Sequence, residues 1–137
     1  MIEETESDPR DVSIWQSLQN RTLQVKINLV EELIKCKKNG TKVAAYGAAA
    51  KGNTLLNYSG IDSDLIDYVV DLNPHKQGNY LPGSRIPIVG LEELDKCPPD
   101  VLLVLPWNLA EEVKVQLNNY IVKGMKLLRA VPSLEYF

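Results

Sequence analysis

The chain has 137 residues, 45% of them hydrophobic and 24% charged, with a formal net charge of −3, the balance of one globular domain large enough to bury a core. No run of lysines and arginines interleaves with aromatics, which speaks against a nucleic-acid surface, and Cys36 and Cys97 stand far apart with no second Cys or His at ligand spacing, which supports neither a zinc site nor a disulfide framework. No apolar stretch reaches bilayer length, and Met1 to Asp8 is acidic where a signal peptide is basic and then apolar, so a cytoplasmic protein with no membrane partner is expected.

In chain order the elements alternate. Asp8-Pro9 makes a helix start, a capping carboxylate followed by proline at the first helical position. Trp15, Leu18, Leu23, Ile27, Val30 and Ile34 then recur at helical spacing up to Lys37-Lys38-Asn39-Gly40, which predicts one long amphipathic helix. The apolar strand Val43 to Tyr46 enters a small-residue turn and a helix that stops at Gly60. Leu65 to Val70 reads as a strand, Ile86 to Val89 as a short one, and Val101 to Leu105 as an apolar run buried on both faces, the mark of a parallel sheet. Asn108 with Glu111 resembles a capping box, Gly124 closes that helix, and Met125 to Val131 supplies a last strand. The reading is a Rossmann-like, doubly wound α/β fold with three α/β/α layers: residues 1–40 form an acidic segment and the long helix, and residues 41–137 form the parallel-sheet domain, with strand order 3-2-1-4-5.

Chemistry concentrates at Tyr46-Gly47-Ala48-Ala49-Ala50-Lys51-Gly52-Asn53-Thr54. Small side chains let backbone N–H groups approach a ligand, and the first turn of the next helix adds unpaired donors and the positive end of its dipole, so a phosphate is the natural occupant. A dinucleotide fingerprint fails at Ala49, where a second glycine is required, and a Walker A loop fails at Asn53, where the lysine belongs. A turn whose alanines merely pack the helix on the sheet stays open as the plain alternative. The switch point of the sheet brings in Pro106, Trp107 and Asn108, and Asp71, 24 positions after Gly47, is where such sheets place an acid that accepts from a ribose hydroxyl. The loop from Asp71 to Gly83 is long and polar, and it adds Asn73, His75 and Lys76. For His75 a surface or hydrogen-bonding role outranks a catalytic one, because no sequence partner marks it as an acid or base.

Tyr46 to Tyr58, Val70-Asp71 with Asn73 to Gly78, Leu81-Pro82-Gly83 with Ile86-Pro87-Ile88, Pro99-Asp100 and Leu105-Pro106-Trp107-Asn108 resemble the C-terminal domain of S-adenosylmethionine-dependent sugar C-methyltransferases. The resemblance spans roughly residues 42–119 in the family's order. It implies a domain that helps hold a nucleotide-activated deoxyketosugar while an enolate beside the ketone attacks the donor methyl. It assigns the acid–base groups and the S-adenosylmethionine cofactor to a central domain, in the same or a partner chain, and a zinc site to an N-terminal one. No catalytic residue is expected in this chain, read as a piece of a longer enzyme or a detached subunit. Leu72 stands where the family usually has a basic residue. The substrate-binding candidates are Gly47, Ala48, Ala49, Ala50, Lys51, Gly52 and Asn53 for the diphosphate, Asp71 and Asn73 for a sugar or ribose hydroxyl, His75 and Lys76 from the same loop, and Pro106, Trp107 and Asn108 for orienting the ligand. A free-standing nucleotide-binding or regulatory module would use the same cradle. A nicotinamide-dependent oxidoreductase ranks below both, since Ala49 breaks its fingerprint.

Overall fold

Hydrophobic patterning and turn chemistry together dictate a central parallel sheet with helices on both faces. The computed structural model describes residues 9–137. Helix α1 runs from Pro9 to Lys38, β1 from Val43 to Tyr46, α2 from Ala50 to Ser59, β2 is Val69–Val70 and β3 is Ile88–Val89. Then come α3 (Glu93–Lys96), β4 (Val101–Val104), a 3-10 turn (Trp107–Leu109), α4 (Ala110–Gln116), α5 (Asn118–Ile121), β5 (Lys126–Arg129) and β6 (Glu135–Tyr136). The six strands lie in the order β3-β2-β1-β4-β5-β6, all parallel except the β5–β6 pair. The predicted order of the first five strands is the observed one. The proposed capping residue Asp8 lies outside the described residues.

Side chains of β1 and β4 alternate between two hydrophobic clusters, as the period of a strand requires. Val43, Ala45, Val101 and Leu103 meet Leu29 and Leu33 of α1 and Leu56 of α2 on one face. Ala44, Tyr46, Leu102 and Val104 meet Leu94 of α3 and Ala110 and Val113 of α4 on the other. This makes three layers. Burying one such aliphatic side chain contributes about 1.5–3 kcal/mol, so both clusters hold the sheet flat against its helices.

Several details differ from the sequence reading, each for a local reason. Leu65 to Val70 gives only a two-residue strand, because Leu65 and Ile66 close a turn on the Asp62 carbonyl. The Asn108–Glu111 box does not form: the backbone first winds through the 3-10 turn, and α4 starts at Ala110 with no side-chain cap. Strand β6 is an addition, pinned where Arg129 donates to the Glu135 carboxylate and where the Tyr136 hydroxyl donates to Glu32 of α1. Of the six apolar residues singled out in α1, Val30 alone packs against the core. Leu29, Leu33 and Cys36 are buried there, whereas Trp15, Leu18, Leu23, Ile27 and Ile34 are exposed. Among the described residues, no helix is long and apolar enough to cross a membrane.

Candidate substrate-binding site

The β1–α2 turn is shaped by two glycines that the packing requires. Gly47 has φ +93, a left-handed conformation, and a β-carbon there would lie 2.6 Å from the Pro106 ring. Its N–H donates to the Val70 carbonyl at 2.7 Å, which carries the chain off the end of the sheet. Gly52 sits inside α2, where a β-carbon would lie 2.6 Å from Cβ of Leu105, so the helix backbone rests directly on the end of β4. Both residues bring the turn against the Leu105-Pro106 segment at the switch point.

Helix α2 begins with Ala49 as its N-cap (φ −96, ψ 156), with no side-chain cap and no acidic residue in the first turn. The Asn53 N–H closes the first bond to the Ala49 carbonyl at 3.0 Å. The donors before it, at Ala50, Lys51 and Gly52, are those that a helix start leaves without intrahelical partners. The exposed Lys51 shares that turn. The Asn53 Oδ1 is buried without a hydrogen-bond partner.

Asp71 locks this turn to the next loop. Its Oδ2 accepts the Ala48 N–H at 2.7 Å and its Oδ1 accepts the Asn73 N–H at 2.8 Å. Lys76 then donates from Nζ to the Ala48 carbonyl at 2.9 Å, so both sides of one residue's backbone are held by the loop after β2. Asn73 accepts the His75 N–H at 2.9 Å, building the loop from successive side-chain-to-backbone turns. Tyr46 lies just below. Burial first, and the Asp71 charge second, push its phenol up, and the neutral hydroxyl faces Oε1 of Gln116 at 3.3 Å.

The structure thus brings together Gly47 to Asn53, Asp71, Asn73, Lys76 and Pro106. Trp107 and Asn108 follow Pro106 in the 3-10 turn at the same edge, Trp107 half-buried and Asn108 exposed. His75 is exposed on the outer loop, its carbonyl accepting from Asn79 Nδ2 at 3.1 Å. Sequence reasoning missed two supports. Gln77 donates from Nε2 to the Asp71 carbonyl at 2.8 Å, and Asn57 donates from Nδ2 to the Pro82 carbonyl at 3.1 Å. A β-carbon at Gly83 would lie 2.4 Å from Oδ1 of Asn57, so the Leu81-Pro82-Gly83 turn needs that glycine to dock on α2. The polar composition of 71–83 signalled a structured loop but not its docking partner. Cavities of about 320 and 440 Å³ lie elsewhere, both lined by Asp100 and Gly124 next to the amino ends of β4 and β5.

A family model described as the C-methyltransferase C-terminal domain matches residues 1–132. The C-methyltransferase NovU of Streptomyces niveus is 37% identical over 95 residues, which are 69% of this chain and 23% of that protein. The chain therefore spans about a quarter of the length of the curated relative it matches. With a parallel sheet, a glycine turn and a docked Pro-Gly loop all covered by the family match, the chain belongs to the C-methyltransferase C-terminal domain family.

Proposed function

We propose that this domain holds the diphosphate and sugar of a nucleotide-activated deoxysugar at the carboxyl edge of its sheet, for C-methylation by an S-adenosylmethionine-dependent enzyme. The observation that carries the reading is the first turn of α2: uncapped, free of acidic residues, furnished with Lys51, and placed at the switch point of a C-methyltransferase family domain. The Asp71 carboxylate already takes the Ala48 N–H, so the phosphates belong on the Ala50 to Gly52 side of the turn, with Lys51 as their cation. The outer face of the 71–76 loop, through Asp71 and Asn73, then meets a ribose or sugar hydroxyl, and Trp107 and Asn108 orient the ligand.

On this reading the domain contributes position. Fixing the diphosphate away from the reacting carbon holds the sugar in a near-attack pose and removes orientational freedom before the reaction. Ala49 stands where a cofactor fingerprint has the glycine that lets the backbone approach its ligand, so the turn is assigned to the substrate's diphosphate and not to S-adenosylmethionine. The methyl donor is held by another domain, in the same chain or a partner, and supplies the electrophilic methyl there.

The test is calorimetry with uridine or thymidine diphosphate on the parent chain and on Lys51→Ala. A charge-assisted hydrogen bond contributes about 1.5–3 kcal/mol, so the variant should bind roughly tenfold or more weakly. Its melting temperature should be equal or slightly raised, since a cation in the first turn opposes the helix dipole. Unchanged affinity at equal stability removes Lys51 and the cradle from the reading.

A further inference from the structure

Helix α1 is apolar on two sides, and the domain uses only part of one. Trp15, Leu18, Val25, Leu29, Leu33 and Cys36 recur at three-, four- and seven-residue steps and share a face. Leu29, Leu33 and Cys36 of that face are buried in the core, yet Trp15 is 62% exposed. The stripe runs on after the core beneath it ends. Where it overruns, Trp15, Leu18 and Leu23 line an open notch with Tyr58 of α2, about 540 Å³ in volume. Leu23, Ile27 and Ile34, again at four- and seven-residue steps, form a second stripe that starts at the notch and runs along α1 away from the buried residues, and each of the three is exposed.

Toward the Trp15 end of the helix the polar residues are mostly uncharged. Between Ser13 and Val25 the sole charged residue is Arg21, with Gln16, Ser17, Gln19, Asn20, Thr22 and Gln24 as the other polar residues, and just beyond them the Lys26 ammonium lies 5.0 Å from the centre of the Tyr58 ring. Charge depletion around aliphatic and aromatic anchors marks the core of an interface. The family match begins at residue 1, which makes α1 part of the shared domain rather than an appendage. The matched segment is 23% of the relative's length, so most of such an enzyme lies outside this domain and is available to cover α1.

We infer that the uncovered faces of α1, centred on Trp15 and Ile27, are the docking surface for the methyl-donor portion of the enzyme. The inference rests on the function proposed above, which requires that partner. The placement suits it. Tyr58 lies at the end of α2 opposite the Ala50–Gly52 turn, so a partner seated on α1 at the notch leaves the phosphate cradle open.

The experiment uses the 137-residue chain and, as probe, the part of C-methyltransferase NovU outside its matched segment, made as a separate polypeptide. The chain should sediment as a monomer and bind the probe. Trp15→Glu and Ile27→Glu, one on each uncovered face, should each weaken binding at least tenfold while leaving the melting temperature and uridine diphosphate affinity at parent values. Absence of binding, or binding that neither variant alters, overturns the inference. A concentration-dependent dimer that Ile27→Glu dissolves assigns the surface to a second copy and overturns it equally. Loss or retention of diphosphate binding in Lys51→Ala reports on the cradle alone, so either reading can fail without the other.

Discussion

Helices α1 and α2 lie on the same face of the sheet, and they are supported in opposite ways. The ten residues of α2 place Gly52, Leu56 and Ser59 inward, and Gly52 lets its backbone touch Leu105. Its far end is closed at Gly60, whose N–H donates to the Asn57 carbonyl while the Ile61 N–H donates to that of Leu56, and its side is held by the Pro82 turn through Asn57. The thirty residues of α1 span about 45 Å. Among its described side chains, only the stretch from Val25 to Cys36 packs on the core, with Glu32 accepting from Tyr136 of β6. Apolar content alone therefore does not report how well a helix is held. The short helix is fixed at both ends and along one side, whereas the long one is fixed along one part of its length.

The largest effect that tests this contrast is in the supported part of α1. Leu33→Ala removes a side chain that is fully buried against the sheet and should cost about 2–5 kcal/mol in urea denaturation. A cost below about 1 kcal/mol would mean that α1 is an accessory to the core rather than part of it. Next comes α2, where Gly52→Ala has two opposed consequences. Alanine favours a helix interior over glycine by about 1 kcal/mol, but its β-carbon would meet Cβ of Leu105 at 2.6 Å. Overpacking costs about 1–3 kcal/mol, so a net loss of up to about 2 kcal/mol is expected, read from the same denaturation curves. A stabilised variant would show that α2 stands off the sheet.

The same contrast separates what the sequence discloses from what it hides. The strand order and the Gly47 turn follow from local chemistry: apolar runs of strand length, glycine where the backbone turns left-handed, and right-handed crossovers. The switch point followed from that order, which is why Gly47 and Ala48 meet Pro106, Asp71 and Lys76 at one edge of the sheet. What a single sequence does not carry is which of two periodic stripes faces inward. In α1, Leu23, Ile27 and Ile34 keep helical spacing as well as Leu29, Leu33 and Cys36 do, and only the position of the sheet chooses between them. Asp71 teaches the same lesson at the site. Its place after β2 was legible, but its use as an internal acceptor for Ala48 and Asn73 depends on how the loop folds back. Strand β6 is two residues long and rests on Arg129–Glu135 and Tyr136–Glu32, pairings that no periodicity announces.

The smallest expected effect is the most diagnostic for α1. Trp15 is the largest side chain on the overrunning face, and in a supported helix its truncation would cost about 3–5 kcal/mol. Here it lies 62% exposed beside the notch at Tyr58, so Trp15→Ala in the isolated chain should change stability by no more than about 0.5 kcal/mol. Alanine is also the better helix former, which offsets part of any lost contact. Hydrogen exchange should agree, with amides around Trp15 and Leu18 exchanging far faster than those around Leu29 and Leu33, because the exposed side chains there lack the buried contacts that protect the later turns. A destabilisation of several kcal/mol, or uniform protection along α1, would show that the first half of the helix is held as firmly as the second, and the division drawn between them would fall.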